Sequence, residues 1–525
     1  MEKFSKKEKV IITLIIVLVP LLLGSLFFIT PWYGDINVID EGQMGAWANH
    51  MLHGKLMYKD IYITYGPFYV YPIYVIFKLI GPEAFYVRLF YGSVGTSLGI
   101  AALLLFISRF NLKKIIFYPL FILLVFIPGV SIRQGVIFFF LWLILEHSNR
   151  KFLYNFLSGI TLACCFLITP EAGIIAGFAV FLLYGKKLIF DKNLKTVFLS
   201  LLSFIAGLMV LSGLFVAWAQ SEGWLGSYIS TTRDVLQSFS GSNLPNGKGF
   251  PNPLDFFVAN SPSIGWVKYI VSKDMLLYYQ FLLFMISFLY LVTRKLLSTY
   301  DKRDNLLLLI TLTGYIHYYS LVGRTGNFFL ALTPTIIILA YFAQKLLLAI
   351  KRNGTRTQLG LLILILLITG RILYIFIPSL QNLKGLTTQF ERKQQFERLG
   401  PVTISFEQEV YFQLIRNYVE RNTTRNDYVY FLSNEPIMYL LVDRVNPSRY
   451  DLPYIAHSPE KRYELLNALK LNSPKLIFYD TVSWPVDEVS NKKRLPEIID
   501  FINDYYNKSY IGNGRIEVYT LKDEK

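Results

Sequence analysis

The chain has 525 residues, of which 53% are hydrophobic and only 17% are charged. Soluble domains carry about 25% charged residues, so this composition excludes a disordered chain, a coiled coil and an ordinary cytosolic enzyme. The formal charge is +16, from 52 Lys and Arg against 36 Asp and Glu. Because the cytoplasmic loops of membrane proteins collect Lys and Arg, we interpret the surplus as loop charge and expect no nucleic-acid partner.

Long apolar segments predict a polytopic α-helical membrane protein with eleven spanning helices. They lie near residues 10–30, 84–108, 114–129, 132–147, 152–169, 171–185, 196–219, 275–293, 306–322, 327–349 and 358–378. Several are shorter than the roughly 20 residues of a full span, so tilted helices or half-helices are expected among them. No small-residue cleavage site follows the first segment, which predicts an uncleaved helix.

Basic clusters define the predicted orientation. If the spans are correct, all the clusters fall on one side, which the positive-inside rule assigns to the cytoplasm. The clusters lie at residues 3–9, 109–114, 150–151, 186–195, 294–303 and 351–356. The N-terminus is then cytoplasmic, and the outer face carries residues 31–83, 220–274 and everything after 378. Counting the apolar run 66–80 as a span would place most basic clusters on the outer side of the membrane. We therefore predict an interfacial or re-entrant helix there.

The composition changes after Pro378. Residues 379–525 contain no spanning segment, and short apolar strands alternate with amphipathic helical stretches. The strands are predicted at 427–433, 475–480 and 515–521, and the helices near 407–421, 459–471 and 496–507. This alternation predicts a small α/β domain. We therefore divide the chain into a transmembrane domain, 1–378, and a C-terminal soluble α/β domain on the extracytoplasmic face, 379–525.

The first outer loop, residues 31–83, gathers acidic side chains close to the predicted membrane surface. They include Asp35, Asp40, Glu41 and Asp60. A proton-coupled transporter normally keeps its ionisable groups deep inside the spans. Acids at the outer boundary, where lipid headgroups lie, instead indicate an enzyme that acts on a lipid-linked substrate.

Asp40 opens a stretch with helical periodicity, in which Met44, Trp47, Ala48 and Met51 form an apolar side. One interpretation is that Asp40 only caps this helix, and the spacing alone favours that interpretation. The other interpretation is that a carboxylate here acts as a general base. It would take a proton from an acceptor hydroxyl or amine as that group attacks a sugar carbon.

Three histidines could bind a metal ion or contact the substrate. His50 and His53 share a helix face, but their spacing lacks the i, i+4 arrangement and the third ligand of strong zinc motifs. We therefore predict surface histidines and leave a metal unassigned. His317 lies among tyrosines near an outer span end, where it either lines a lipid groove or belongs to an aromatic belt.

The order of these elements resembles the GT-C glycosyltransferases, in particular their protein-mannosyltransferase-like and aminoarabinose-transferase-like branch. In that superfamily an Asp, often followed by Glu, begins the first outer loop. A Pro introduces the second apolar helix, and an Arg-Leu pair opens the next span. Here these elements match Asp40, Glu41, Pro67, Arg88 and Leu89. The stretch 428–450 resembles the opening of the family's outer domain, and the turns TPEAG at 169–173 and VGRTGNFFLALTP at 322–334 are similar but less specific.

The resemblance implies a membrane glycosyltransferase in a bacterial inner or plasma membrane. Such enzymes move a sugar from a polyprenyl-phosphate donor to an extracytoplasmic lipid, glycan or protein, with inversion. The family's catalytic Asp carries over to Asp40, and Glu41 to a helper or a metal ligand. Arg88 matches the family's Arg and, with Arg324 of the late outer turn, is predicted to meet the donor phosphate. The alternative for both arginines is snorkelling to the headgroups.

Two features of the sequence leave questions about the site open. Arg233 and Lys248 lie in the outer segment 220–274, which is either a lid that meets the substrate or a plain connector. The aminoarabinose-transferase branch also has a second acid before the Pro of its interfacial helix, where this chain reads TYGP at 64–67. Asp60 is the nearest substitute, so both a second carboxylate and a divalent cation stay open.

Other functions compete with this one. They are a lipid-linked oligosaccharide transporter and a polysaccharide polymerase or ligase of the cell envelope. A transporter should carry charged groups in a cavity inside the helix bundle, whereas the acids here gather in an outer loop. That contrast favours an enzyme.

Overall fold

A computed structural model of the chain describes residues 34–110, 112, 116, 120, 131–145, 151–190, 194–239, 273–299, 302–318, 332–353, 397–486 and 489–522. The predicted spans at 10–30 and 358–378 lie outside these ranges, as does all of 114–129 except two residues. The predicted domain boundary after residue 378 also lies outside the described residues.

The described part of the membrane domain is mostly helical. Its helices are α1 (Asp40–Leu52), α2 (Pro67–Ile80), α3 (Ala84–Phe110, with a π-helical turn at Leu89–Val94), α4 (Ile132–Ile144), α5 (Lys151–Ile168), α6 (Pro170–Phe190), α7 (Leu194–Ser221), α8 (Leu225–Phe239), α9 (Lys273–Leu296), α10 (Lys302–His317) and α11 (Leu332–Asn353). Within the described ranges, four helical stretches are long and apolar enough to cross a membrane. They are Ala84–Phe110, Leu194–Ser221, Tyr279–Leu296 and Thr333–Lys351. The shorter apolar helices α4, α5, α6 and α10 coincide with other predicted spans.

Aliphatic and aromatic side chains of α3 to α7 and α9 to α11 form one buried core. An ion pair closes the turn between α9 and α10, because Arg294 donates a hydrogen bond of 3.0 Å to Asp304. Tyr341 of α11 donates to the same carboxylate over 3.0 Å. Asp304 is fully buried, and its charge is tolerated there because a guanidinium and a hydroxyl hold it.

Helix α2 is the apolar run that the sequence predicts to be interfacial or re-entrant. Its 14 residues would span only about 21 Å, which is too short for a hydrocarbon core of about 30 Å. Pro67 starts the helix and Pro72 lies inside it. Leu79 and Ile80 are largely exposed at its C-terminal end. Its interfacial or re-entrant placement stays a prediction, since α4 has a similar length and coincides with a predicted span.

The soluble domain is built on a four-stranded sheet in the order β1-β2-β4-β3. Its strands are β1 (Val429–Phe431), β2 (Leu476–Asp480), β3 (Tyr506–Ile511) and β4 (Ile516–Leu521). β1 is parallel to β2, while β4 is antiparallel to both β2 and β3. The helices are α12 (Phe406–Asn422), α13 (Ile437–Val442), α14 (Pro459–Leu471), α15 (Asn491–Arg494) and α16 (Pro496–Tyr505). These elements confirm the predicted α/β fold.

Strand β3 is the element that the sequence analysis missed. The segment YNKSYI has mostly exposed side chains, and Tyr506 is its one fully buried residue. An edge strand of this kind lacks the apolar alternation from which strands are predicted. The predicted helix 496–507 therefore ends two residues early, at Tyr505.

The two faces of the sheet pack against different partners. Alternate strand residues such as Tyr430 and Ile477 face α14 and α16, while Phe431 and Phe478 face α12 and α13. The second core continues through α13 into α1 and α2 of the membrane domain. Helix α1 is consequently buried on all sides from Gly42 to Met51, instead of presenting a single apolar side.

A buried carboxyl group lies just before α13 and makes the stability of the protein pH-dependent. Burial raises the pKa of Glu435 from 4.5 to about 7, although a hydrogen bond from Tyr411 lowers it. The folded protein therefore binds more protons than the unfolded chain between these pH values, and stability falls as the pH rises through this window. The wild-type protein should lose about 3 kcal/mol of its free energy of unfolding between pH 4.5 and pH 7, and Glu435→Gln should abolish this loss.

The measurement is the thermal unfolding midpoint of the full-length protein in detergent at pH 5 and pH 8. The side-chain amide of the variant still accepts the hydrogen bond from Tyr411, so the midpoint should change less with pH than in the wild type. Glu497→Gln, on an exposed side chain of α16, is the control and should keep the wild-type pH dependence. An unchanged pH dependence in Glu435→Gln would contradict the prediction.

Candidate functional site

Asn37 holds the start of helix α1. Its side-chain oxygen accepts hydrogen bonds from the backbone N–H groups of Ile39 (3.1 Å) and Asp40 (2.9 Å). Its side-chain amide donates to a carboxylate oxygen of Asp40 over 2.9 Å. The capping role that the spacing suggested for Asp40 is therefore filled by Asn37. Asp40 is the first helical residue, and its carboxylate is exposed.

Arg88 lies behind this turn and is itself buried, with 6% of its side chain exposed. Its Nε donates to Glu41 over 2.8 Å, its Nη1 donates to the carbonyl of Gly34 over 2.7 Å, and its Nη2 donates to the carbonyl of Asp35. Burial raises the pKa of Glu41, and Arg88 opposes that rise. Arg88 thus joins Glu41 to the strand that leads into α1, and its contact with a donor phosphate stays a prediction.

The turn before α2 packs directly on the end of α5. The N–H of Gly66 donates to the carbonyl of Ile168 over 2.9 Å. A Cβ atom at Gly66 would lie only 2.1 Å from the carbonyl oxygen of Leu167, so no other residue fits without a shift. This close approach brings the α5–α6 turn, TPEAG, next to the first outer loop.

A second acid reaches the site through this contact. Glu171 starts α6 and accepts a hydrogen bond of 3.1 Å from Arg133 of α4. The Arg133 guanidinium lies over the ring of Tyr65, 5.0 Å from its centre. Burial raises the pKa of Tyr65, Arg133 lowers it, and the charges of Asp40 and Glu171 raise it further. Arg133 therefore contacts the Tyr65 ring, and the charges of Asp40 and Glu171 act on the Tyr65 hydroxyl.

Sequence reasoning noticed the TPEAG turn but assigned no role to Glu171, and it did not single out Arg133. Both residues are charged and lie in the first turn of an apolar helix. Ionisable residues at such positions are uncommon and frequently functional, which is the signal that could have found them. A further acid, Glu171, thus lies on another helix and is linked through Arg133 to Tyr65 in the turn before Pro67.

The structure does not bring Asp60 to this site. Asp60 lies beyond the C-terminal end of α1, where its carboxylate accepts a hydrogen bond of 2.9 Å from the N–H of Leu56. Asp40 lies at the opposite end of this helix, which is about 20 Å long at 1.5 Å per residue. Asp60 is therefore not the second acid beside Asp40.

The residues predicted for the outer loops are only partly described. Arg233 is exposed on α8, and this helix docks on the soluble domain, because Asp234 lies 3.3 Å from Lys461. Residues 225–239 are thus helical, and the choice between a lid and a connector for 220–274 stays open. Lys248 and Arg324, like the Gly- and Pro-rich part of the predicted lid, lie outside the described residues. Helix α10 ends at His317, whose side chain also lies outside them.

His50 of α1 and His53, which directly follows the helix, connect α1 to the soluble domain. His50 is fully buried, and its Nε2 lies 2.9 Å from Asp451. The Nε2 of His53 lies 2.9 Å from Asp443, which also pairs with Arg398 over 2.7 Å. The prediction that both histidines lie on the surface is therefore wrong for His50.

The replacement of Gly66 by Ala should displace the turn that carries Tyr65 in the site. The new methyl group would meet the Leu167 carbonyl and push the turn with Tyr65 away from Glu171. Overpacking of this kind costs about 1–3 kcal/mol, and we expect transfer activity to fall about tenfold. Gly177→Ala in α6 is the matched control, because a Cβ atom there meets nothing within 4 Å. Equal activity and equal unfolding midpoints for the two variants would contradict this role of Gly66.

The structure shares its fold with solved proteins. It is similar to the oligosaccharyltransferase of Archaeoglobus fulgidus tethered to an acceptor peptide with the NVT sequon, with a TM-score of 0.52 and 14% identity over 100% of this chain and 75% of that one. It is also similar to ArnT from Cupriavidus metallidurans bound to undecaprenyl phosphate, with a TM-score of 0.47 and 12% identity over 99% of each chain. No family model and no curated protein matches the sequence. These findings confirm the predicted fold of an integral membrane protein.

Proposed function

We propose that this protein is a membrane glycosyltransferase that moves a sugar from a polyprenyl-phosphate-linked donor to an extracytoplasmic acceptor with inversion. The observation that supports it most is an exposed Asp40 carboxylate at the start of a buried, fixed helix. The ion pair of the buried Glu171 with the partly exposed Arg133 lies against Tyr65, on which the charge of Asp40 also acts. The archaeal enzyme of the same fold binds an acceptor peptide. The donor class rests on the resemblance of the first outer loop to the GT-C family.

Asp40 is the proposed general base. As the acceptor oxygen or nitrogen attacks the anomeric carbon, its proton passes to the Asp40 carboxylate. The bond between that carbon and the phosphate oxygen breaks, and the prenyl phosphate leaves with the electron pair. Attack from the side opposite the phosphate inverts the anomeric centre. Asn37, Glu41 and Arg88 are positioning residues, because they fix the turn that carries Asp40.

The departing phosphate needs a cation. We assign this role first to Arg133, whose side chain is 24% exposed and lies over the ring of Tyr65. Arg88 would have to break hydrogen bonds to three internal acceptors to reach a phosphate. Arg88 and Arg324 stay predictions for the same role, as do Arg233, Lys248 and His317 for other substrate contacts.

A divalent cation also stays a prediction. In the part of the chain that the structure describes, no three His, Cys, Asp or Glu side chains lie close enough together to hold a metal ion. The acids Glu41 and Glu171 are each hydrogen-bonded to an arginine. These residues do not form a ready metal site, so the proposed reaction includes no step through a metal.

Incubation of the purified protein with a panel of polyprenyl-phosphate sugars tests the proposal. The expected result is release of the prenyl phosphate together with transfer of the sugar to an added acceptor. Donors with one sugar and donors with an oligosaccharide separate a monosaccharide transferase from a polymerase or ligase. Movement of an intact donor across a vesicle membrane, without cleavage, would instead identify a transporter and overturn the proposal.

A further inference from the structure

A cleft of about 580 Å³ lies between the segment that follows α1 and the soluble domain. Residues 53–60 of the membrane domain form one wall. The opposite wall comes from the loop around Arg425, from residues 445–449 and from α14. The cleft begins at the C-terminal end of α1, the same helix whose first residue is Asp40.

Positive charge exceeds negative charge in this cleft. Its charged lining comprises Lys55, Lys59, Arg425 and Arg449 against Asp60 and Glu464, in addition to His53. Glu464 accepts a hydrogen bond from Tyr450 and lies 3.7 Å from Arg449. Lys59 is exposed, and Arg425, with 84% of its side chain exposed, lies 3.9 Å from Asp443. Two cations at the mouth of the cleft therefore reach solvent.

The base of the cleft is held in place before any ligand arrives. Lys55 donates to the carbonyl groups of Asn446 and Ser448, and the charges of Asp451 and Asp60 also act on it. Arg449 lies over the neighbouring rings of Tyr62 and Tyr450, 5.1 Å and 5.9 Å from their centres. Its Nε is buried and makes no hydrogen bond to any described residue. Fixed cations of this kind bind an anion without a further loss of side-chain freedom.

We propose that this cleft binds an anionic glycan that serves as the acceptor, through the phosphate or carboxylate groups along its chain. The inference rests on the proposed function. The open, polar cleft suits a hydrated polymer, and Asn426, Ser448 and Asn472 in its lining can bind sugar hydroxyls. Because α1 separates the cleft from Asp40 by about 20 Å, only an extended acceptor can occupy both places.

The test measures binding by the full-length protein in detergent, separately from catalysis. The probes are poly(glycerol phosphate), polygalacturonate and neutral dextran, with single-stranded DNA of equal charge as a polyanion control. The expected result is binding of poly(glycerol phosphate) or polygalacturonate, which identifies phosphate or carboxylate as the recognised group. This binding should weaken as salt rises.

The double variant Lys59→Gln/Arg425→Gln should weaken this binding at least about tenfold, because each lost charge-assisted contact costs about 1.5–3 kcal/mol. The matched control Lys195→Gln/Lys493→Gln removes the same charge from exposed positions elsewhere and should bind like the wild type. Dextran bound as tightly as the charged glycans, DNA bound as tightly as either, or equal loss in both double variants would overturn the inference.

This outcome is distinguishable from a failure of the proposed function. If prenyl phosphate is released but no charged glycan binds, the acceptor site is wrong and the glycosyltransferase proposal stands. If a charged glycan binds in the cleft but no donor is cleaved, the proposed function fails instead. Asp40→Asn should leave glycan binding unchanged, since Asp40 is not part of the cleft.

Discussion

Replacement of Asp40 by Asn is expected to abolish sugar transfer while leaving expression and donor binding largely intact. The amide cannot accept the acceptor proton, so the rate should fall by about 10²–10⁴-fold, the usual contribution of a general base. The start of α1 should persist, because Asn37 caps it through the backbone N–H groups of residues 39 and 40. Release of prenyl phosphate by the purified variant, relative to the wild type, is the measurement.

Asp500→Asn is the control for this variant. It removes the same charge from an exposed position on α16 and should transfer at the wild-type rate. The unfolding midpoints of both variants should stay close to that of the wild type, which separates a chemical defect from a folding defect. Full activity of Asp40→Asn would remove Asp40 from the mechanism.

Replacement of Arg88 by Lys is expected to lower transfer about a hundredfold, because small displacements of a catalytic group have effects of this size. A single ammonium group keeps the charge but cannot reach Glu41 and the carbonyls of Gly34 and Asp35 together. Asp40 follows directly on this segment and would lose its fixed position. The variant should therefore lower kcat at a nearly unchanged KM for the donor.

The kinetic constants also separate two roles of Arg88. If Arg88 binds the donor phosphate instead, KM for the donor should rise, and the positioning role would be refuted. Arg416→Lys is the matched control, since Arg416 forms a 2.7 Å ion pair with Glu420 on the outer surface of α12, away from the site. That variant should keep wild-type values of both constants.

The sequence was sufficient to predict the outline of the fold and the position of the first acid. Apolar runs predict membrane helices because lipid offers the backbone no hydrogen bonds, and this constraint acts locally. The Asp40-Glu41 pair is likewise identified from a short stretch of sequence. The role of Asn37 was missed, although it lies only three residues before Asp40, because either side chain could have capped α1.

The second acid could not be predicted for a different physical reason. Glu171 is linked to Tyr65 through Arg133, and Gly66 allows the α2 turn to approach the backbone at Leu167, about a hundred residues along the chain. Such a contact depends on how helices pack, and a single sequence holds no periodicity that reports it. Asp60 was chosen because it is the nearest acid before Pro67 in sequence, yet the length of α1 separates it from Asp40.

The hydrogen bond between His50 and Asp451 could not be predicted for the same reason. A histidine on a predicted surface helix gives no hint that a domain four hundred residues later will cover it. The soluble domain was correctly predicted as an α/β unit, but its contact with α1 was not. The edge strand β3 was missed because its side chains are largely exposed.

The burial of α1 between the membrane helices and α13 has a practical consequence for chimeras. The sequence suggests that hybrids can be made by exchanging everything after residue 378. The contacts of His50 and His53 show that the C-terminal end of α1 packs against the C-terminal α/β domain, although α1 is encoded far upstream. A working hybrid would need to carry residues 34–63 together with the C-terminal domain, because either part alone would present a mismatched surface to its new neighbour.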